Sequence, residues 1–142
     1  MKIVIGSDKS GFPLKEHLKG YLKEKGYEVL DKTPKAVLDF VDSTKLVAET
    51  ILKGEAEKGI VIDEYGAGSF MVACKYKGMV CAEVSEEHSA KMTRDHNNAR
   101  MIAIGSGIVG VKLAETIVDA FAKSNYSGGR HQIRIDMLNK ML

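Results

Sequence analysis

The chain has no tryptophan, four phenylalanines and five tyrosines among its 142 residues. Few aromatic faces are therefore left on which nucleic-acid bases could stack. A charge surplus is also missing: 21 basic side chains face 19 acidic ones, for a net charge of +2, with no run of five like charges. General nucleic-acid binders carry a basic stripe or a stronger net charge, so that class is disfavoured. No apolar run nears the ~18 residues of a membrane span. The run Ile3-Val4-Ile5 is too short for a signal peptide. No membrane association and a cytoplasmic location are therefore expected. Cysteine is scarce, with only Cys74 and Cys81 and no Cys or His at metal-ligand spacing. Two free, buried thiols are expected, with no disulfide framework and no metal site.

What is present is a globular balance, 44% hydrophobic and 28% charged. The length suits a single domain over residues 1–142. That leaves no room for separate cofactor and substrate domains, so any chemistry sits on one domain or is shared between copies. Short apolar runs alternate with segments of helical period. Strands are predicted at Ile3–Ile5, Tyr27–Leu30, Gly59–Ile62, Met79–Val84 and Met101–Gly105. Pro13 opens the first helix, where its missing N–H costs nothing. Asp42 or Ser43 is expected to cap the second helix, and Ser85 a polar helix reaching about Asn97. Val109, Leu113, Ile117 and Phe121 mark a long helix. A last helix over Arg130–Leu142 is expected to turn Ile133, Met137, Leu138 and Met141 inward. Continuous rather than alternating apolar strands have both faces covered. The expected fold is an α/β, three-layer, Rossmann-like domain with a five-stranded parallel sheet.

Ligands in such sheets bind beyond the carboxyl ends of the strands. Gly66-Ala67-Gly68 follows the third strand but lacks the rest of a dinucleotide or Walker pattern. Gly105-x-Gly107-x-x-Gly110 matches the dinucleotide spacing, yet no later βα unit brings a ribose-binding acid, and packing explains its glycines more simply. Arg130 and Arg134 stand one helical turn apart behind two glycines, which suits a phosphate clamp as well as a solvated face. His96 closes the polar helix, where it can act as general acid or base or simply cap the end. His17, His88 and His131 read as exposed helix residues without a role.

Three separate blocks agree on one family. They are Gly6-Ser7-Asp8 through Gly11-Phe12-Pro13-Leu14-Lys15, Ser89-Ala90 through Arg94-x-His96-Asn97, and Gly128-Gly129-Arg130-His131-x-x-Arg134. In order and spacing, over nearly the whole chain, they resemble the type B ribose-5-phosphate and galactose-6-phosphate isomerases. The resemblance implies a cofactor-free, metal-free aldose–ketose isomerase with sites between subunits. It implies ring opening by His96, substrate contact by Asn97 and phosphate binding by Arg130 and Arg134.

The departures from the family pattern fall in one loop. A Cys-Gly-Thr-Gly-x-Gly stretch, whose Cys is the enolising base, is replaced by Asp63-Glu64-Tyr65-Gly66-Ala67-Gly68. Ser69 stands where another branch has a carboxylate base, Lys9 where a His is usual, and Gly107 where an Arg is frequent. Unprotonated carboxylates would oppose the negative charge of an enediolate, and Tyr65 is large enough to fill a pocket. The half-site built from the chain's own loop therefore reads as disabled, and the half it would offer a neighbour as intact. The resemblance then implies the family branch made of two related subunits, which interconverts D-galactose 6-phosphate and D-tagatose 6-phosphate. The expected partner is a related B-type subunit carrying the Cys base, in a hetero-oligomer for which a heterotetramer is expected. Two alternatives stay open: a homo-oligomer using Asp63 or Glu64 as base, and a non-catalytic binding or structural subunit.

Overall fold

The unbroken apolar runs become the middle of a sheet. The computed structural model describes residues 1–142. Strands β1 (Lys2–Ser7), β3 (Lys58–Asp63) and β5 (Met101–Gly105) are the inner three, flanked by β2 (Glu28–Asp31) and β4 (Cys81–Glu83). The order is β2-β1-β3-β5-β4 and every pairing is parallel. The expected fold class is the observed one. The inner strands β1 and β3 extend beyond their predicted apolar runs, and the edge strands shift because each pairs on one side: β4 holds register with β5 over just three residues.

Alternation sorts the strand side chains onto two faces. Ile3, Ile5, Ile60, Ile62, Ile102 and Ile104 meet α1 (Phe12–Glu24) and α5 (Val111–Lys123) through Leu18, Leu22, Ile117 and Phe121. Val4, Val61, Met101 and Ala103 meet α2 (Phe40–Leu52) and α3 (Ala67–Ala73) through Val47, Ile51 and Ala73. These are the three layers, with α4 (Glu87–Asp95) packed beside α5. No helix is long and apolar enough to cross a membrane.

Both expected caps move. The α2 cap is Asp39, whose Oδ1 accepts the Asp42 amide at 2.8 Å. The α4 cap is Glu86, whose extended backbone brings its carboxylate onto the amides of His88 and Ser89. Ser85 instead donates to Glu83 at 3.0 Å. Such caps contribute ~1 kcal/mol each. The long helix begins at Val111 rather than Val109, and Leu113 faces outward. Cys81 is buried, and burial pushes its thiol far up, but Cys74 ends α3 and is exposed, so only one of the two free thiols is buried.

The largest correction concerns the last helix. A 3-10 turn (Gly129–His131) precedes α6 (Gln132–Lys140), and only Ile135 on α6 is buried. Ile133, Met137, Leu138 and Met141, expected inward, are 45–71% exposed. Ile135 alone is covered, while Leu138 and Met141 line an open groove with Phe70, Met79 and Cys81 and keep much of their surface exposed.

Candidate active site

The two halves of the expected site form at opposite ends of the sheet. At the carboxyl end, β1 and β3 are neighbours from which the chain departs in opposite directions, the switch point where α/β sheets place ligands. Asp63 ends β3 there. The strand-five loop clamps the strand-three loop: Ser106 N–H donates to the Asp63 carbonyl and Gly107 N–H to that of Glu64, both at 2.8 Å. A Cβ at Gly105 would lie 2.6 Å from the Tyr65 carbonyl carbon, and one at Gly107 2.5 Å from Glu64 Oε1. Gly105 and Gly107 thus admit the strand-three loop rather than a helix, whereas a Cβ at Gly110 would meet nothing within 4 Å.

The Asp63 side chain is only 6% exposed and accepts the Ser69 amide at 3.4 Å. Burial raises its carboxyl above the usual range, the Gly66 and Ser69 amides pull it down, and the charge of Asp8 adds to the rise. Glu64 is exposed, and Tyr65 is 64% exposed in the single chain. Because folding raises the Asp63 pKa, its contribution to stability is full in acid and is lost as pH rises through the folded-state value. Asp63→Asn keeps an acceptor and cannot ionise. Its melting temperature relative to the parent chain is expected to rise from about pH 3 to about pH 7. A difference constant across that range would refute the assignment.

The other half lies at the amino end of the sheet. Helix α4 starts beyond the carboxyl end of β4 and runs back, so its C-cap, His96, lands at the foot. Arg94 shapes the turn: its Nη1 donates to Asn98 Oδ1 at 2.7 Å and to the Ala99 carbonyl at 3.1 Å, with Asn98 in the left-handed region. His96 and Asn97 stay exposed. Helix α5 likewise runs back to the foot, and the Ser127 amide donates to the Asp95 carbonyl at 2.9 Å. Gly128 and Gly129 follow with φ of 66° and 58°, a reversal that favours glycine.

That reversal stacks the His131 ring on His96, with centroids 4.3 Å apart and planes 16° apart. Burial lowers the His131 pKa, and the charges of His96, Arg130 and Arg134 lower it further. His96, Arg130 and Arg134 thus gather around one imidazole, with Asn97 beside them on the chain. The cluster concentrates positive charge at the foot. His131, expected as an exposed helix residue, instead lies half-buried in the 3-10 turn against His96.

The head and foot cannot meet in one chain. Strand β3 has six residues, and its ends are separated by roughly 16 Å at ~3.3 Å per residue. The foot carries imidazoles and guanidiniums, the head carboxylates. No three or more His, Cys, Asp and Glu side chains are grouped to hold a metal ion.

Known proteins share this architecture throughout. Galactose-6-phosphate isomerase subunit LacA of Clostridium acetobutylicum is 63% identical over 142 residues, the whole of both chains. Its counterpart in Streptococcus mutans is 58% identical over 141 residues, 99% of each. The crystal structure of a ribose 5-phosphate isomerase from Thermotoga maritima superposes with a TM-score of 0.94 at 37% identity, covering 99% of this chain and 98% of that one. A family model described as Ribose/Galactose Isomerase matches residues 3–138. With all of the sheet but Lys2 and all three site blocks inside that match, the chain belongs to the ribose/galactose isomerase family.

Proposed function

We propose that the chain is the A-type subunit of a galactose-6-phosphate isomerase and supplies half of each working site. The observation that carries this reading is the split of the site: a cationic foot with His96, Arg130 and Arg134, and a carboxylate-bearing head where the base Cys would stand. The relatives 57–63% identical to the chain are named as subunits of that enzyme.

In this mechanism the forked guanidiniums of Arg130 and Arg134 hold the 6-phosphate, and the α6 N-terminus adds partial positive charge. His96 moves a proton between the anomeric hydroxyl and the ring oxygen, which opens the ring. Asn97 contacts the sugar. A Cys from a related B-type subunit takes the C2 proton of D-galactose 6-phosphate and returns it to C1 through an enediolate, while the O2 hydroxyl proton passes to O1, giving D-tagatose 6-phosphate. The proton count is unchanged and no cofactor takes part. A heterotetramer with equal numbers of the two subunits accommodates this sharing.

His96→Ala in the mixed complex is expected to slow cyclic substrate by about 10²–10⁴-fold, the range for a lost acid–base group. An open-chain analogue is expected to suffer much less. Equal slowing of both would remove His96 from ring opening. Undiminished activity on the cyclic sugar would make the chain a scaffold. Of the two carboxylates the homo-oligomeric alternative could use, Asp63 is buried against the Ser69 amide rather than offered to a substrate, which leaves only the exposed Glu64 to serve as its base.

A further inference from the structure

Lys58 opens β3 at the foot of the sheet and is 3% exposed. Its ammonium spends all three protons on the end of α5, donating to the carbonyls of Phe121, Ala122 and Ser124 at 3.1, 2.8 and 2.7 Å. The last carbonyls of a helix have no partner within it and favour a cation. The Phe121 ring lies 5.6 Å from the same nitrogen. Burial pushes the ammonium down to about 8; Arg94 of α4 adds to this, while Glu57 beside it and Asp95 of α4 oppose it. A cation is costly at this depth unless its hydrogen bonds are complete.

The carbonyls it holds lie just upstream of the site. Ser124 ends α5, and Arg130 comes six residues later. Between them, the Ser127 amide is tied to Asp95, the residue before His96. Lys58 therefore sits under the junction from which both parts of the foot depart. We propose that Lys58 is a positioning residue, fixing where the Arg130-bearing segment leaves α5 and so holding the phosphate clamp in register with His96. This rests on the reading of Arg130 and Arg134 as that clamp.

The test uses the full chain with Lys58→Met, which keeps length but not donors, and Lys58→Gln, which keeps two. Inorganic phosphate is titrated while the His96 and His131 ring resonances are followed by NMR. Amide exchange is read at Ser127 and across Ala114–Val118. In Lys58→Met, Ser127 is expected to exchange about ten-fold faster with central α5 unchanged, and phosphate affinity to fall about ten-fold. Lys58→Gln should lie between, and it decides the matter if the Met variant does not fold. In complex with the Cys-bearing subunit, KM should rise with kcat nearly unchanged. Parental exchange at Ser127, or faster exchange spread equally through α5, would overturn the proposal. If the parent chain bound no phosphate, the clamp reading would fail, and Ser127 exchange alone would decide whether Lys58 positions the segment.

Discussion

Purified alone, the chain is expected to isomerise hexose 6-phosphates at least 10²–10⁴-fold more slowly than when mixed with a related subunit that carries a Cys in its strand-three loop. The magnitude is about that of a missing general base. The physical ground is geometric as well as chemical. Asp63 stands where the proposed reading looks for a base, yet its carboxyl is buried and engaged by the Ser69 amide. The groups suited to ring opening and phosphate binding lie a sheet-length away, at the foot. Mixing alone should restore the rate, with no added metal or cofactor. Replacing the partner's Cys by Ser should abolish it again. Full turnover by the isolated chain would end the two-subunit reading. If that turnover then vanished in Glu64→Gln or Asp63→Asn, the carboxylate alternative would take its place.

The second large effect is expected at the arginines. Arg130→Ala in the mixed complex should raise KM for the phosphorylated sugar about 10- to 100-fold, the scale of a lost hydrogen bond to a charged group. Turnover at saturation should change less, because the phosphate is remote from C1 and C2. Arg134→Ala should behave alike. The double substitution should cost less than the two single losses combined, since neighbouring groups on one anion are coupled. Arg130→Lys should fall between, keeping charge but not the fork. Both side chains are exposed, so the losses should shrink as salt rises. Unchanged affinity in Arg130→Ala would remove that residue from the clamp.

How far the sequence could be read depended on what each residue had as a neighbour. The isoleucine-rich inner strands were legible because burial on both faces leaves a continuous apolar run. The α2 cap was not: Asp39, Asp42 and Ser43 all have the chemistry, and only the backbone path puts the Asp39 carboxylate on the Asp42 amide. The last helix shows the limit of periodicity most plainly. Its apolar stripe was visible, but a stripe does not say how closely a layer covers it, and here only Ile135 is buried while Leu138 and Met141 line an open groove. In the site, His96, Arg130 and Arg134 stood out through their resemblance to a family. From spacing alone, nothing joined residue 96 to residue 130. The contact that joins them, His131 on His96, depends on the Ser127 anchor and on two glycines with positive φ.

The placement of head and foot at opposite ends of one sheet also governs how many centres an assembly can hold. A two-fold arrangement that lays the foot of one subunit on the head of its neighbour lays the neighbour's foot on the first head. Between unlike subunits, these two junctions differ. In the two-subunit reading proposed above, one would join the partner's Cys loop to His96, Arg130 and Arg134, and the other the Asp63 loop to whatever the partner's foot carries. A tight-binding enediolate mimic should therefore titrate one centre for every two chains, and the second junction is free to drift toward other uses.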